Sequence, residues 1–214
     1  QLMTLFPPAE GEAPSAAVQQ AADHMAVSTL QAGDTTMFRQ FLGDFLYYLA
    51  PKSGEDVKEG MKYLIDNYID GRVDLWKSQD DSLKIIGFAQ IMDDLLSKAV
   101  PGSPIPDLKV PGDFLRHGKK IKTGQFALSK LRGQKNIIIF YTEGCNICDA
   151  EKAAARRLVA EDSNYRVLMV NIDRIVSSDP ALANRLFDKF DLSSLPFIIE
   201  TDKKGIILRR YITL

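Results

Sequence analysis

The chain has 214 residues, is 45% hydrophobic and 26% charged, carries a net charge of −1, and contains two cysteines and two histidines. At roughly 150 residues per domain, this is one large domain or two small ones, each able to bury a core. Near-neutrality gives no electrostatic case for nucleic acid as a partner, no apolar run reaches the ~18 residues of a membrane span, and two cysteines cannot staple a disulfide-rich scaffold. With only His24 and His117 beside the cysteines, no zinc cage or other metal site is expected. The opening QLMTLFPPAEGEAPS lacks a basic stretch followed by an apolar one, so it does not read as a signal peptide, and the chain reads as a mature or trimmed form.

The neutrality is a cancellation. Residues 1–103 hold 8 Lys and Arg against 15 Asp and Glu, whereas residues 104–214 hold 19 against 13. The helix breakers Val100-Pro101-Gly102-Ser103-Pro104 mark the boundary between an acidic and a basic domain. In the first, residues 1–14 read as an extended arm and Ser15–Gln31 as an Ala-rich, weakly amphipathic helix. Asp34 is placed to cap a second helix, whose face is Phe38, Phe41, Leu42, Phe45, Leu46 and Leu49, ended by Pro51. Ser53 caps a third, with Val57, Met61, Leu64, Ile65 and Tyr68 aligned and Gly71 beyond it. Ser78 and Asp81 resemble a capping box opening a fourth, which carries Leu83, Ile86, Phe88, Met92, Leu95 and Leu96. Short connections predict an antiparallel helical lobe.

After Pro104 the period changes. Asp107–Val110 and Lys120–Lys122 are predicted to flank a turn containing Pro111-Gly112-Asp113 and His117-Gly118, with Gln125–Leu131 as one or two helical turns. Asn136–Thr142 is nearly all β-branched or aromatic, as suits a buried central strand. A helix from Asn146 to Ala160, a strand Tyr165–Asp173, a helix Ala181–Phe190 and strands Phe197–Thr201 and Gly205–Ile212 complete an α/β pattern with a mixed sheet.

The two cysteines fall in Cys145-Asn146-Ile147-Cys148, between the Asn136–Thr142 strand and the helix that follows. At i and i+3 on a helix N-terminus, two sulfurs can form a reversible disulfide. The first faces unpaired backbone N–H groups and the positive end of the helix dipole, which favour thiolate and make Cys145 the nucleophile. Cys148, one turn further in, is then the resolving thiol. Strand, short loop, CxxC and helix is the context of a redox motif rather than a metal site.

These residues resemble the thioredoxin superfamily over about 104–214. FYTEGCNIC stands where that family has its strand and active-site turn, and VNID, a helix and SSLPFIIETDKKGIIL follow in its order. The resemblance implies a thioredoxin-like fold, a cis Leu195-Pro196 bond facing the disulfide, and substrate contact at Leu195 and Pro196. Within the superfamily, PGSPIPDLKVPGD and the run GKKIKTGQFALSKLRGQKNIIIF are similar to extracytoplasmic TlpA/ResA-like thiol-disulfide oxidoreductases. So is Glu151, three residues after Cys148, which that likeness implies as a group tuning thiol protonation or moving protons. It further implies a protein disulfide as substrate, a membrane-associated electron donor, no cofactor, the reductase direction, and a place in a bacterial periplasm or cell envelope, with a lipid anchor on the precursor as one option. Departures are Ile139 for a buried Asp, Gly144 for the Trp before the motif, Ile147 for the Pro before the second cysteine, and Lys152 for the Pro after Glu151. Two alternatives stand beside this reading. Thr142-x-x-Cys145 matches part of the peroxiredoxin motif, although Ile138 replaces its Pro; and the scaffold could be a non-catalytic partner-binding or sensor protein.

Overall fold

The structure is a computed structural model that describes residues 14–52, 54–72, 74–76 and 80–214. It divides into two compact units between Leu96 and Ser97. The division falls before the Val100–Pro104 breakers because that stretch runs along the last strand of the second unit: Gly102 N–H donates to Ile207 O (2.8 Å) and Ile207 N–H to Ser103 O (2.9 Å).

The first unit is helical, with α1 (Pro14–Gln31), α2 (Thr35–Leu49), α3 (Glu55–Tyr68) and α4 (Asp80–Leu96). The Asp34 side chain accepts from Met37 N–H at 2.9 Å, capping α2 as its sequence indicates. All six residues of the expected α2 face are buried, and they share one core with Val18, Met61, Leu64, Ile65 and Met92. Trp76 also belongs to this core, its indole N–H donating to Tyr68 O at 2.8 Å. On α4, Leu83 is 64% exposed rather than part of the apolar face, and Ala89 lies in the core instead. The expected extended arm over 1–14 and the caps Ser53 and Ser78 lie outside the described residues, Pro14 itself opening α1. No helix among the described residues is long and apolar enough to cross a membrane.

The second unit is built on a mixed sheet: β1 (Lys109–Arg116), β2 (Lys122–Ala127), β3 (Lys135–Tyr141), β4 (Tyr165–Asn171), β5 (Phe197–Asp202) and β6 (Ile207–Arg210). Among the described residues the spatial order is β2-β1-β4-β3-β5-β6, with β3 and β4 parallel and every other pair antiparallel. Residues of β3 alternate between two cores. Ile137, Ile139 and Tyr141 pack with α5 (Asn146–Glu161), while Ile138 and Phe140 pack with α6 (Ile172–Ser178) and α7 (Pro180–Lys189).

The hairpin differs from expectation. Pro111-Gly112-Asp113 lies inside β1 rather than in the turn, which falls between Arg116 and Lys122. Gln125–Ala127 extends β2, and only Leu128–Lys130 is helical, as a single 3-10 turn. A proline and a glycine signal a turn in isolation, but here Gly112 serves close packing. A Cβ on it would lie 2.6 Å from Met169 O on β4. Its direct partner across β2, Gly124, has ordinary room, with nothing nearer than 3.8 Å. The strand expected through Asp173 stops at Asn171, whose side chain accepts from Arg174 N–H (3.0 Å) and starts α6.

Gly112→Ala is therefore expected to destabilise the protein by about 2 kcal/mol, within the range for forced overpacking, while Gly124→Ala changes stability by well under ~1 kcal/mol. Urea denaturation of the two variants side by side checks this; equal losses would mean that the β1–β4 approach is not what requires the glycine.

Candidate active site

The sheet brings three chain segments to one edge. β3 ends at Tyr141 beside Asn171 of its parallel neighbour β4, and Phe140 pairs with Phe197, the first residue of β5. The loop from β3 into α5, the start of α6 and the approach to β5 thus lie next to one another.

From β3 the chain runs through Thr142, Glu143 and Gly144 to Cys145. Gly144 has φ +69°, in the left-handed region that a glycine enters without penalty. Cys145 is the N-cap of α5, and its sulfur accepts from Cys148 N–H at 3.1 Å. A sulfur therefore stands where Ser or Asp normally caps a helix. The two cysteines are joined as a disulfide, with Cα atoms 5.2 Å apart. Cys145 is half-buried, whereas Cys148 is completely buried. The accessible sulfur is thus the one at the open end of the helix.

Glu151 follows on the inward stripe of α5 formed by Cys148, Glu151, Ala155 and Val159. It is 8% exposed, and its carboxylate accepts from Leu214 N–H at 2.9 Å. A buried carboxylate needs such a donor, since leaving it unmatched costs several kcal/mol. Lys152, beside it, is largely covered by its neighbours. Its ammonium lies 4.4 Å from the centre of the Tyr141 ring and 2.7 Å from Asp149.

The Leu195-Pro196 bond is cis. Leu195 is half-buried and packs against both cores of the second unit, and Cys145 packs against the same α5-side core. Buried Asp191 anchors this approach, accepting from the Ser193 N–H and hydroxyl and from Tyr211 Oη at 2.8 Å. Cys145 and Leu195 therefore pack against the core that contains Cys148, Pro196 is bonded to Leu195, and Glu151 lies one helical turn inside Cys148. Ile139, where a buried Asp was noted as missing, is fully buried in apolar surroundings.

Residues 101–214 match the model of the AhpC/TSA family. The chain belongs to that family. Twenty-three solved chains match. A thioredoxin-like protein from Bacteroides caccae is 14% identical, with a TM-score of 0.55, over 94% of this chain and 74% of its own. The thioredoxin domain of a thiol-disulfide oxidoreductase from Bacteroides vulgatus is 16% identical over 54% of this chain and 90% of its own, with a TM-score of 0.37. The C-terminal domain of a Bacteroides fragilis protein gives 16% identity and a TM-score of 0.40 over 55% and 94% of the two chains. No curated protein matches. The AhpC/TSA unit has a thioredoxin-like fold, preceded by the helical lobe, and the chain is a member of the thioredoxin superfamily.

In this family member, one feature of the site went unnoticed in the sequence. The Asp173 carboxylate accepts from the Thr142 hydroxyl (2.6 Å) and from Glu143 N–H (2.8 Å), clasping the loop that leads to Cys145. Asn171 reinforces the clasp by donating to the Glu143 carboxylate at 2.6 Å. The signal was available: a polar Asn-Ile-Asp ends the strand parallel to β3, at the carboxyl edge where α/β proteins assemble their sites.

The Thr142 hydroxyl first, then the Glu143 N–H, hold the Asp173 carboxyl below the ordinary carboxylate range. A depressed native pKa contributes stability that is complete above the unfolded value near 4 and is lost as pH falls through the native one. Asp173→Asn should therefore lower the urea midpoint at pH 7, with the gap to the parent protein narrowing below about pH 4 as the parent's carboxyl protonates. A gap independent of pH would show that charge is not what the clasp uses.

Proposed function

We propose that the protein is a thiol-disulfide oxidoreductase acting on protein disulfides in the reductase direction, of the TlpA/ResA-like kind. The observation that carries this reading is the Cys145–Cys148 pair at the N-terminus of α5, with one sulfur accessible and the other buried, in the same core as the residue preceding a cis proline. In the reduced enzyme, the helix N-terminus favours the Cys145 thiolate. This thiolate attacks one sulfur of a substrate disulfide, forming a mixed disulfide and releasing the other substrate sulfur as thiolate. The Cys148 thiolate then attacks Cys145 Sγ, which expels the second substrate thiolate and leaves Cys145–Cys148 oxidised. Two electrons pass to the substrate, and a membrane-associated dithiol donor returns them. Leu195 and Pro196 would offer the surface on which the substrate strand lies.

Glu151 is assigned to thiol protonation. Its place one turn inside Cys148 suits a carboxylate that holds or passes the proton needed when Cys148 alternates between thiol and thiolate. An extracytoplasmic location, in a bacterial periplasm or envelope, fits the use of such a couple on secreted disulfides. A peroxidase is the second reading, favoured by the AhpC/TSA match and by Thr142 three residues before Cys145. Against it, the Thr142 hydroxyl is committed to Asp173.

Trapping separates these readings. Cys148→Ser should accumulate mixed disulfides through Cys145 with envelope proteins, and Cys145→Ser should abolish both trapping and reduction of a model protein disulfide. Consumption of hydrogen peroxide that needs Cys145, with no trapping, would support the peroxidase instead.

Glu151→Gln is expected to move the pH profile of Cys145 alkylation in the reduced enzyme to lower pH, because removing a nearby negative charge favours the thiolate. An unchanged profile would leave Glu151 a packing role only.

A further inference from the structure

A second concave site lies at the other end of α5. The turn between β1 and β2 folds over the C-terminal half of the helix, and the His117 ring N–H at Nδ1 donates to Val159 O at 3.0 Å. Between the two lies a hollow of about 240 Å³. Its walls include Leu115, Ile121, Val159 and Ala160, and its rim carries Arg116, Lys119 and Arg156. Val159 is about 16 Å along the helix axis from Cys148, so the hollow is separate from the disulfide.

Two features of the hollow call for a ligand of particular chemistry. Its walls are apolar, and Ile121 remains 49% exposed there although it is a large aliphatic side chain. Its rim is cationic without compensation. Among the described residues, Arg116, Lys119 and Arg156 form no ion pair, and Arg116 has only the Phe114 ring of its own strand, 5.8 Å away. Three exposed like charges on one rim raise the local positive potential, which draws an anion. An apolar floor under a positive rim suits a molecule with an apolar body and a negative head. The volume limits the body to about one ring or a short chain, since a cavity of ~150 Å³ accepts benzene and drug-sized ligands need ~300 Å³ or more.

We propose that this hollow binds a small anionic amphiphile, an aliphatic or aromatic body of ring size bearing a carboxylate or phosphate. The body rests on Leu115, Ile121, Val159 and Ala160, and the head lies among the guanidinium groups of Arg116 and Arg156 and the Lys119 ammonium. Arginine pairs with planar carboxylates and with phosphates through two parallel N–H donors, so two arginines on one rim favour these heads. The site is independent of the redox reading.

The test follows the methyl resonances of Leu115, Ile121 and Val159 in the full chain during titration. 4-Phenylbutyrate is expected to shift all three and to saturate, and 4-phenylbutan-1-ol, which lacks the charge, to bind at least tenfold more weakly. Inorganic phosphate, which lacks the body, is also expected to bind at least tenfold more weakly. The double variant Arg116→Gln/Arg156→Gln should raise the dissociation constant at least tenfold. Ala160→Trp, at an exposed helix position, should fill the hollow and abolish binding with the denaturation midpoint unchanged. Equal binding of the alcohol or of phosphate would overturn the proposal, as would shifts centred elsewhere or indifference to both variants. Binding to phosphatidylglycerol vesicles without saturable binding of phenylbutyrate would also overturn it, assigning the cations to a membrane surface.

Discussion

The parallel pairing of β3 with β4 obliges the chain to leave one edge of the sheet and return at the other, and α5 makes that crossing. Everything at the disulfide depends on this connection. A helix that begins where β3 ends presents its free N–H groups at the carboxyl edge of the sheet. The register that sets Tyr141 beside Asn171 then places α6, and with it Asp173, against the same loop. The antiparallel strand β5 starts at that edge too, because Phe197 pairs with Phe140, so the cis peptide bond before it needs no separate device to reach the site. The geometry around the disulfide is thus a product of strand direction and register.

Within that frame α5 has two tasks on one stripe. Cys148, Glu151, Ala155 and Val159 recur at helical spacing and all face the sheet. Two of these positions carry a thiol-derived sulfur and a carboxylate where a helix of purely structural purpose would carry aliphatic side chains. The arrangement is stable because each polar group has a partner. Glu151 accepts from Leu214 N–H, and Cys145 closes the helix end that an ordinary cap would close. The same economy holds across the sheet, where buried Glu200 takes the Arg209 guanidinium, its Nε donating at 2.7 Å. Sulfur at the N-cap ties the disulfide to helix termination, since the atom that accepts from Cys148 N–H is also one of the two bonded sulfurs.

Much of this was legible in the chain of residues. The α2 face, the Asp34 cap, the β3 strand and the helix after Cys145 could be read because each depends on local pattern. The hairpin was misread for a reason that lies outside its own residues. Pro111-Gly112 resembles a turn, and only the approach of Met169 O from β4 makes a glycine necessary inside a strand. Leu83 fits the apolar spacing of α4 yet faces solvent, because periodicity predicts a stripe and not its length. The Asp173 clasp was hidden because it joins residues about 30 positions apart through a register that is fixed only when the sheet forms. Resemblance supplied what pattern could not, namely the cis bond at Leu195-Pro196.

The cations at the far end of α5 bear on how charge is distributed in this unit. A helix dipole favours positive side chains in its last turn, and α5 has none there, Arg156 and Arg157 standing one turn earlier. The dipole does not explain Arg116, the last residue of β1, or Lys119 in the turn that follows, nor does it explain why that turn closes over an apolar hollow rather than over acidic side chains. The negative helix end is already engaged at Val159 O by His117. With that carbonyl occupied, further cations gain little from the helix, and the exposed Arg116, Lys119 and Arg156 side chains remain without an anionic partner among the described residues. An anion seated there would meet three cations at the end of α5 remote from the disulfide.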